Sequence, residues 1–282
     1  MSVASSSEPS PHVSSRAGNH SASQTGTRNL DVVESTIKLM SLNLAHARKD
    51  GWHQLFMKPA TIRANLDAVA QLVRREAPDV VALQEADSRS LWSGRFHHVK
   101  HLIEQAGMPH FSHGKHVGWL GIRCGTALLS RQPLGDPLFH AFGAGPLTLP
   151  KGMVVCTVCW PESGGRQVDI ASLHLDFLRK AARRRQAGEI VDRIAERKRP
   201  LVLAGDFNCH LGNEEATLPY LFEELNLRAY RPDDGSLITF PSRRKRLDWI
   251  LVSPEIEFAG YRTLPDVVSD HRAVIATLRL AE

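Results

Sequence analysis

Asp206 and Asn208 stand two residues apart in PLVLAGDFNCH (200–210), where the apolar run Leu201, Val202, Leu203 gives way at Gly205. The run reads as a buried strand, and Gly, Asp and Asn are turn formers, so a plain turn would account for them. The same pattern recurs along the chain, and the recurrence changes the reading. Asn43 ends an apolar run in MSLNL, Glu85 ends one in VVALQE, and His174 comes near the end of another in IASLHL. Asp248 opens LDWIL, and Asp270 and His271 stand in SDH just before the last apolar run. In α/β sheets ligands bind where strand ends converge. Carboxylates and imidazoles gathered there suggest a metal-assisted hydrolytic site.

The elements that must position these residues are legible in outline. STIKLMSLNL (35–44) has strand character, and Ile62, Leu66, Val69, Ala70 and Val73 fall at helical spacing after Pro59, with Pro78 as the stop. DVVALQE follows as a short buried strand, and a second helix is expected over 96–105, ending at Gly107. Strands are expected around Phe111 and over GTALLS, and GMVVCTVCW with RQVDIASLHL forms a hairpin across the PESGGR turn. A charged helix is expected over 177–197, its RKAARRRQ segment facing solvent, and another over 214–225. RLDWILVS, EIEFAGYRTL and RAVIATLRL complete the strands. Hairpins mixed with helices argue for a mixed α/β architecture rather than an all-parallel sheet.

The ordered set LN, QE, LH, GDFN, LDWI and SDH, with GTALLSR among them, resembles the endonuclease/exonuclease/phosphatase superfamily over about Thr36 to Leu280. That superfamily includes deoxyribonucleases, abasic-site endonucleases, neutral sphingomyelinases and inositol-polyphosphate phosphatases. Each motif alone is weak; together and in this order they are strong. The resemblance implies a four-layer α/β/β/α sandwich of two packed mixed sheets, a divalent metal (Mg²⁺, with Mn²⁺ as the alternative) and hydrolysis of a phosphoester, by preference a phosphodiester.

An anionic phosphodiester repels hydroxide, so its hydrolysis needs charge neutralisation, an activated water and help for the leaving oxygen. The resemblance accordingly implies Glu85 as the main metal ligand, supported by Asn43 directly or through water, with Asp270 beside the metal. His271 would be the base or the phosphate-orienting imidazole, with Asp248 fixing its tautomer. Asp206 would orient the water or act as base, Asn208 would donate to a phosphoryl oxygen, and His174 would contact phosphate or act as general acid. His174 matches the deoxyribonuclease and sphingomyelinase branches, whereas abasic-site endonucleases usually carry Tyr there.

The weaker signals concern substrate. Arg243, Arg244, Lys245 and Arg246 precede Asp248 in SRRKRLDW, and Arg244 and Arg246 are taken as substrate-binding residues, although a charge run is commonly a solvated face. His46, Arg48 and Trp52 follow Asn43 and are candidates for substrate contact. His97 and His101 stand i,i+4, a spacing that can hold zinc, but no Cys or carboxylate accompanies them. Cys156 and Cys159 form a C-x-x-C on a strand, where residues three apart face opposite ways, which argues against a redox or metal pair. The four cysteines fit a reducing, cytoplasmic compartment.

Residues 1–34 are expected to be a disordered Ser-rich tail and 35–282 the catalytic domain. The tail lacks the apolar core of a secretory signal, and no run of about 18 apolar residues marks a membrane span. The net charge of +5 is mild and fits an anionic substrate as well as it fits a solvated surface. The substrate is therefore left as a small-molecule, lipid-linked or nucleic-acid phosphoester. A nuclease is the nearest alternative, and an inactive binding module on the same fold is the rival of another class.

Overall fold

The computed structural model describes residues 35–49, 51, 57–119, 121–143, 149–212 and 216–281. The expectations for the tail and for Trp52 fall outside these residues. Among the described residues, twelve strands form two six-stranded sheets. The first sheet contains β1 (Thr36–Asn43), β2 (Val80–Asp87), β3 (His110–Trp119), β4 (Ile122–Ser130), β11 (Ile256–Thr263) and β12 (Val274–Leu280). Its order is β11-β12-β1-β2-β4-β3. The second contains β5 (Gly135–Ala141), β6 (Gly152–Cys159), β7 (Gln167–His174), β8 (Leu201–Asp206), β9 (Arg228–Ala229) and β10 (Asp248–Val252). Its order is β5-β6-β7-β8-β10-β9.

The central strands are apolar on both faces because both faces are covered. In β1 and β2, Ile37, Leu39, Val80 and Ala82 pack against the second sheet's Val154, Ile170 and Val202. The alternate residues Met40, Leu42, Val81 and Leu83 pack under α1 (Pro59–Glu76) and α2 (His98–Ala106). On the far side, α3 (Lys180–Ile194) and α4 (Thr217–Glu224) cover Leu173, Leu203 and Leu251. The result is the four-layer α/β/β/α sandwich of two mixed sheets. α1 begins with Pro59 at its first turn and lays down Ile62, Leu66, Val69 and Val73, all buried. Each such side chain stabilises the fold by about 1.5–3 kcal/mol.

Each sheet has a single parallel pair, β1/β2 and β7/β8, while its other pairs are antiparallel. α1 and α3 make the two crossovers that parallel pairing requires. The carboxyl ends of these pairs meet at one edge. There Gln84 of β2 donates through Nε2 to Ser172 Oγ of β7 at 3.0 Å, and Ser172 Oγ donates to Leu83 O at 2.9 Å, tying the sheets together.

Candidate active site

Strand register places the site residues side by side. His174 of β7 pairs with Asp206 of β8, and Asp206 pairs with Asp248 of β10. Paired residues point to one face, so the three side chains emerge together. Gly205 permits this closeness: its φ is +149°, and a Cβ there would lie 2.1 Å from Leu173 O. In the other sheet Asn43 pairs with Gln84. A shift of register between Leu83 and Ala86 follows, with Glu85 at φ +50°. That bulge re-aims the carboxylate out of the regular alternation.

Asp206 Oδ2 is the point of convergence. Asn43 Nδ2 donates to it at 2.9 Å and Asn208 Nδ2 at 3.2 Å, while Asn208 N donates to Oδ1 at 2.9 Å. His174 Nε2 lies 3.4 Å from Oδ2 and His271 Nε2 lies 3.8 Å from it. His271 Nδ1 is 2.8 Å from Asp248 Oδ2, and its ring packs on Phe240 at 4.8 Å between centroids. Burial disfavours a charged His271, but the carboxylates of Asp248 and Asp206 outweigh it and raise its pKa. Asp206 is pushed up by its own burial, against the pull of His271 and with the help of Asp248.

Lys151 brings a positive charge against this cluster. Its Nζ is 3.3 Å from His174 Nδ1 and 3.4 Å from Glu85 Oε1. An ammonium can only donate, so Nδ1 accepts and the proton of neutral His174 sits on Nε2, facing Asp206. Burial and the Lys151 charge together hold His174 well below the usual histidine range. Burial works against ionising Glu85, but His46, Lys151, His174 and His271 overcome it and keep the carboxyl below its usual range.

The other expected residues are placed as follows. Asn43 Oδ1 accepts from Ala45 N at 2.9 Å while Nδ2 holds Asp206, and a second lone pair remains on Oδ1. Asn208 Nδ2 also donates to Leu175 O at 3.0 Å, so it braces Asp206. Asp270 pairs with the Arg48 guanidinium. Arg246 is buried: it donates to Tyr230 O, Arg231 O and Tyr261 Oη, and its guanidinium lies 3.9 Å over Trp249. Its guanidinium is held by these partners, and the residue also borders the hollow that Arg244 lines. Arg244 faces a separate hollow beside Asp233 and Asp234. Arg243 and Lys245 instead wall the cleft of about 420 Å³ that opens from Asn208 and His271, with Phe177, Phe240 and Lys180 around it.

His97 Nδ1 accepts from Lys100 N as the cap of α2, and His101 Nε2 bonds Asp67 at 2.7 Å, so that pair does not converge on a metal. Cys156 is buried and Cys159 exposed, as strand alternation requires. The sequence reading missed Lys151 and Asp87. Asp87 lies two residues after Glu85, a spacing that could have flagged it. Lys151 adjoins Gly152, which pairs with His174, and only the hairpin register reveals that.

The arrangement fits a hard divalent cation. Ligand atoms of Asp206, Asp248 and His271 lie within 4.8 Å of one another. Asp248 Oδ1 is buried with no hydrogen-bond partner among the described residues. Glu85, linked to His174 through Lys151, carries a further carboxylate, kept ionised by its neighbours. Oxygen donors of this kind suit Mg²⁺ or Mn²⁺.

Comparison with known proteins agrees with the fold. The family model of the endonuclease/exonuclease/phosphatase family matches residues 40–271, and the chain belongs to that family. Members are generally hydrolases of phosphoester bonds that use divalent metals. The chain is similar to an endonuclease/exonuclease/phosphatase from Beutenbergia cavernae, with 21% identity, 88% of this chain and 72% of that one covered, and a TM-score of 0.71. It is similar to the human Nocturnin catalytic domain with bound sulfate, at 20% identity, 88% and 96% coverage and a TM-score of 0.66. A mannosyl-6-phosphatase of Bacteroides thetaiotaomicron shares 19% identity over 86% of this chain and 99% of that one, with a TM-score of 0.65. At these identities the likeness is one of fold. No curated protein sequence matches the chain. Among the described residues no helix is long and apolar enough to cross a membrane.

Proposed function

We propose that the chain hydrolyses a phosphoester, by preference a phosphodiester, with Mg²⁺ or Mn²⁺ held at Glu85. The observation that carries the reading is the convergence of two imidazoles and two amides on the buried Asp206 carboxylate. The bound ion would neutralise phosphate charge. The chain's own residues activate the water and hold the phosphoryl oxygens, and the leaving oxygen takes its proton from solvent. Asp206, raised toward neutrality, takes the proton of the attacking water. His271, held protonated by Asp248, donates to a phosphoryl oxygen. His174 offers its Nε2–H to another. Asn43 and Asn208 fix the Asp206 carboxylate, so no reorganisation is needed during the reaction.

A nuclease is the second reading, and the cleft favours it. Lys180, Arg243 and Lys245 stand there beside Phe177 and Phe240, cations for backbone phosphates next to rings for bases. Hydrolysis of bis-p-nitrophenyl phosphate, plasmid DNA and sphingomyelin with Mg²⁺, Mn²⁺ or EDTA tests both. Metal-dependent turnover should fall by roughly 10³-fold or more in Asp206→Ala and in His271→Ala, with little change in Tm. Near-full activity in either variant would sink the assignment. Steep loss of DNA cleavage with salt would mark the nuclease. Silence on all three substrates would leave a narrower specificity or the binding module, which Mg²⁺ titration of wild type against Glu85→Ala would separate by showing whether the metal site exists.

A further inference from the structure

His46 lines a small hollow together with Glu85, Lys151 and His174. It sits in a turn where Ala45, His46 and Ala47 have φ of +47°, +53° and +61°. Consecutive left-handed residues without glycine are costly, and such strain persists only where the surroundings fix it. Here Asn43 Oδ1 takes the Ala45 N–H, and Asn65 Nδ2 donates to Ala47 O at 2.9 Å. The strained turn faces Glu85, itself at φ +50°. Two unusual backbone conformations thus bring one imidazole to one carboxylate.

The ring is oriented. Its Nδ1 is 3.0 Å from Asp87 Oδ1, and the fully buried Asp87 receives Trp92 Nε1 on Oδ2 at 3.2 Å. Trp92 also packs against the imidazole, with ring centroids 4.9 Å apart. Asp87 therefore claims Nδ1–H and leaves Nε2 pointing at Glu85 Oε2, 3.4 Å away. Two atoms so placed need a positive charge between them, a proton in the metal-free protein or a metal ion in the proton's place. Donors at about 2.1 Å from one ion stand roughly 3.0–3.5 Å apart when they occupy neighbouring positions. A carboxylate behind a histidine is also the usual support of a metal-bound imidazole.

We propose that His46 is an imidazole ligand of the cation held by Glu85, oriented by Asp87, and that this nitrogen makes the centre prefer Mn²⁺ over Mg²⁺. The inference rests on the reading that a divalent ion sits at Glu85. Imidazole suits first-row transition ions, whereas Mg²⁺ favours oxygen donors and its own waters.

The test is Mn²⁺ binding to the full chain, read by electron paramagnetic resonance and by spin-echo modulation from coupled ¹⁴N, with Mg²⁺ affinity taken by competition. Bound Mn²⁺ should show imidazole nitrogen coupling that disappears in His46→Gln and survives in His174→Gln. Mn²⁺ affinity should fall about 10–100-fold in His46→Gln, and Mg²⁺ affinity much less. Asp87→Asn, which keeps the shape of the side chain, should weaken Mn²⁺ selectively by about tenfold and serves if His46→Gln does not fold. Coupling that persists in His46→Gln, or equal losses for both ions, overturns the proposal, leaving His46 as a cation bridging two carboxylates. Wild-type Mn²⁺ binding without nitrogen coupling overturns it while sparing the metal at Glu85. No binding, with hydrolysis unaffected by EDTA, removes both.

Discussion

Lysine has no lone pair in its ammonium form, so Lys151 at 3.3 Å from His174 Nδ1 permits one hydrogen-bond polarity only. A proton on Nδ1 is excluded, and Nε2–H is turned toward Asp206 and toward any phosphoryl oxygen that displaces solvent there. The same ammonium stabilises the Glu85 carboxylate. One side chain thus sets the state of two others. Lys151→Met should raise the His174 pKa, because a positive neighbour is removed while the burial remains. Titration of the His174 C2–H resonance in the metal-free protein would show the shift toward the ordinary range. Turnover should fall by about 10–100-fold, as the tautomer is no longer enforced. An unshifted His174 titration would mean that burial alone sets its state.

The elements carry these side chains only because their registers agree, and Gly205 is where that agreement is tightest. Gly205→Ala would put a Cβ 2.1 Å from Leu173 O at φ +149°, so β7 and β8 must separate. A loss of roughly 2–4 kcal/mol is expected, or about 5–15 °C in Tm. Activity measured well below the melt should also drop, since His174 and Asp206 are register partners. Unchanged Tm and activity would show that the strand pair is more compliant than its geometry implies. Strands buried on both faces, such as β1, β2 and β8, are readable as apolar runs, and so are the polar residues that end them. β5 is not, because as an edge strand it is largely exposed and has no apolar face to betray it. β9 has two residues and no periodicity at all. The Arg-rich face of α3 reads as solvated, yet Arg183 is buried and donates to Asp176 O, a carbonyl seven residues back. Arg246 is likewise decided by tertiary partners: Tyr261 comes from β11, on the other sheet. Side chains with long apolar stems can be buried or displayed, and sequence alone does not say which.

The whole molecule stores several neutral histidines in its interior, and that fixes the sign of its response to acid. Burial, the largest influence in each case, lowers His97 and His113 to about 4 and His116 to about 3, and it also lowers His98 and His174. In the unfolded chain these groups titrate near 6.5. Between that value and their folded values the unfolded chain binds more protons, so stability is complete above about pH 6.5 and is lost as pH falls. Asp206 works the other way: raised in the fold, it loses its stabilising proton as pH rises toward neutrality. One such proton does not offset five histidines. His271 and His46 are raised as well, and their contribution is present below about pH 6.5 and lost as pH rises above it. The two sets define opposite limbs, so Tm in the metal-free protein should peak near neutrality and fall on both sides. Melts between pH 5 and pH 9 at fixed ionic strength in EDTA would trace this. The acid limb should flatten in His113→Gln/His116→Gln, where Gln keeps a polar group near Ala86 O and Thr126 Oγ1, the present imidazole partners. The alkaline limb should be untouched by that pair and reduced in His271→Gln. A Tm that stays level from pH 7 to pH 5 would mean that the interior histidines admit protons without opening the fold.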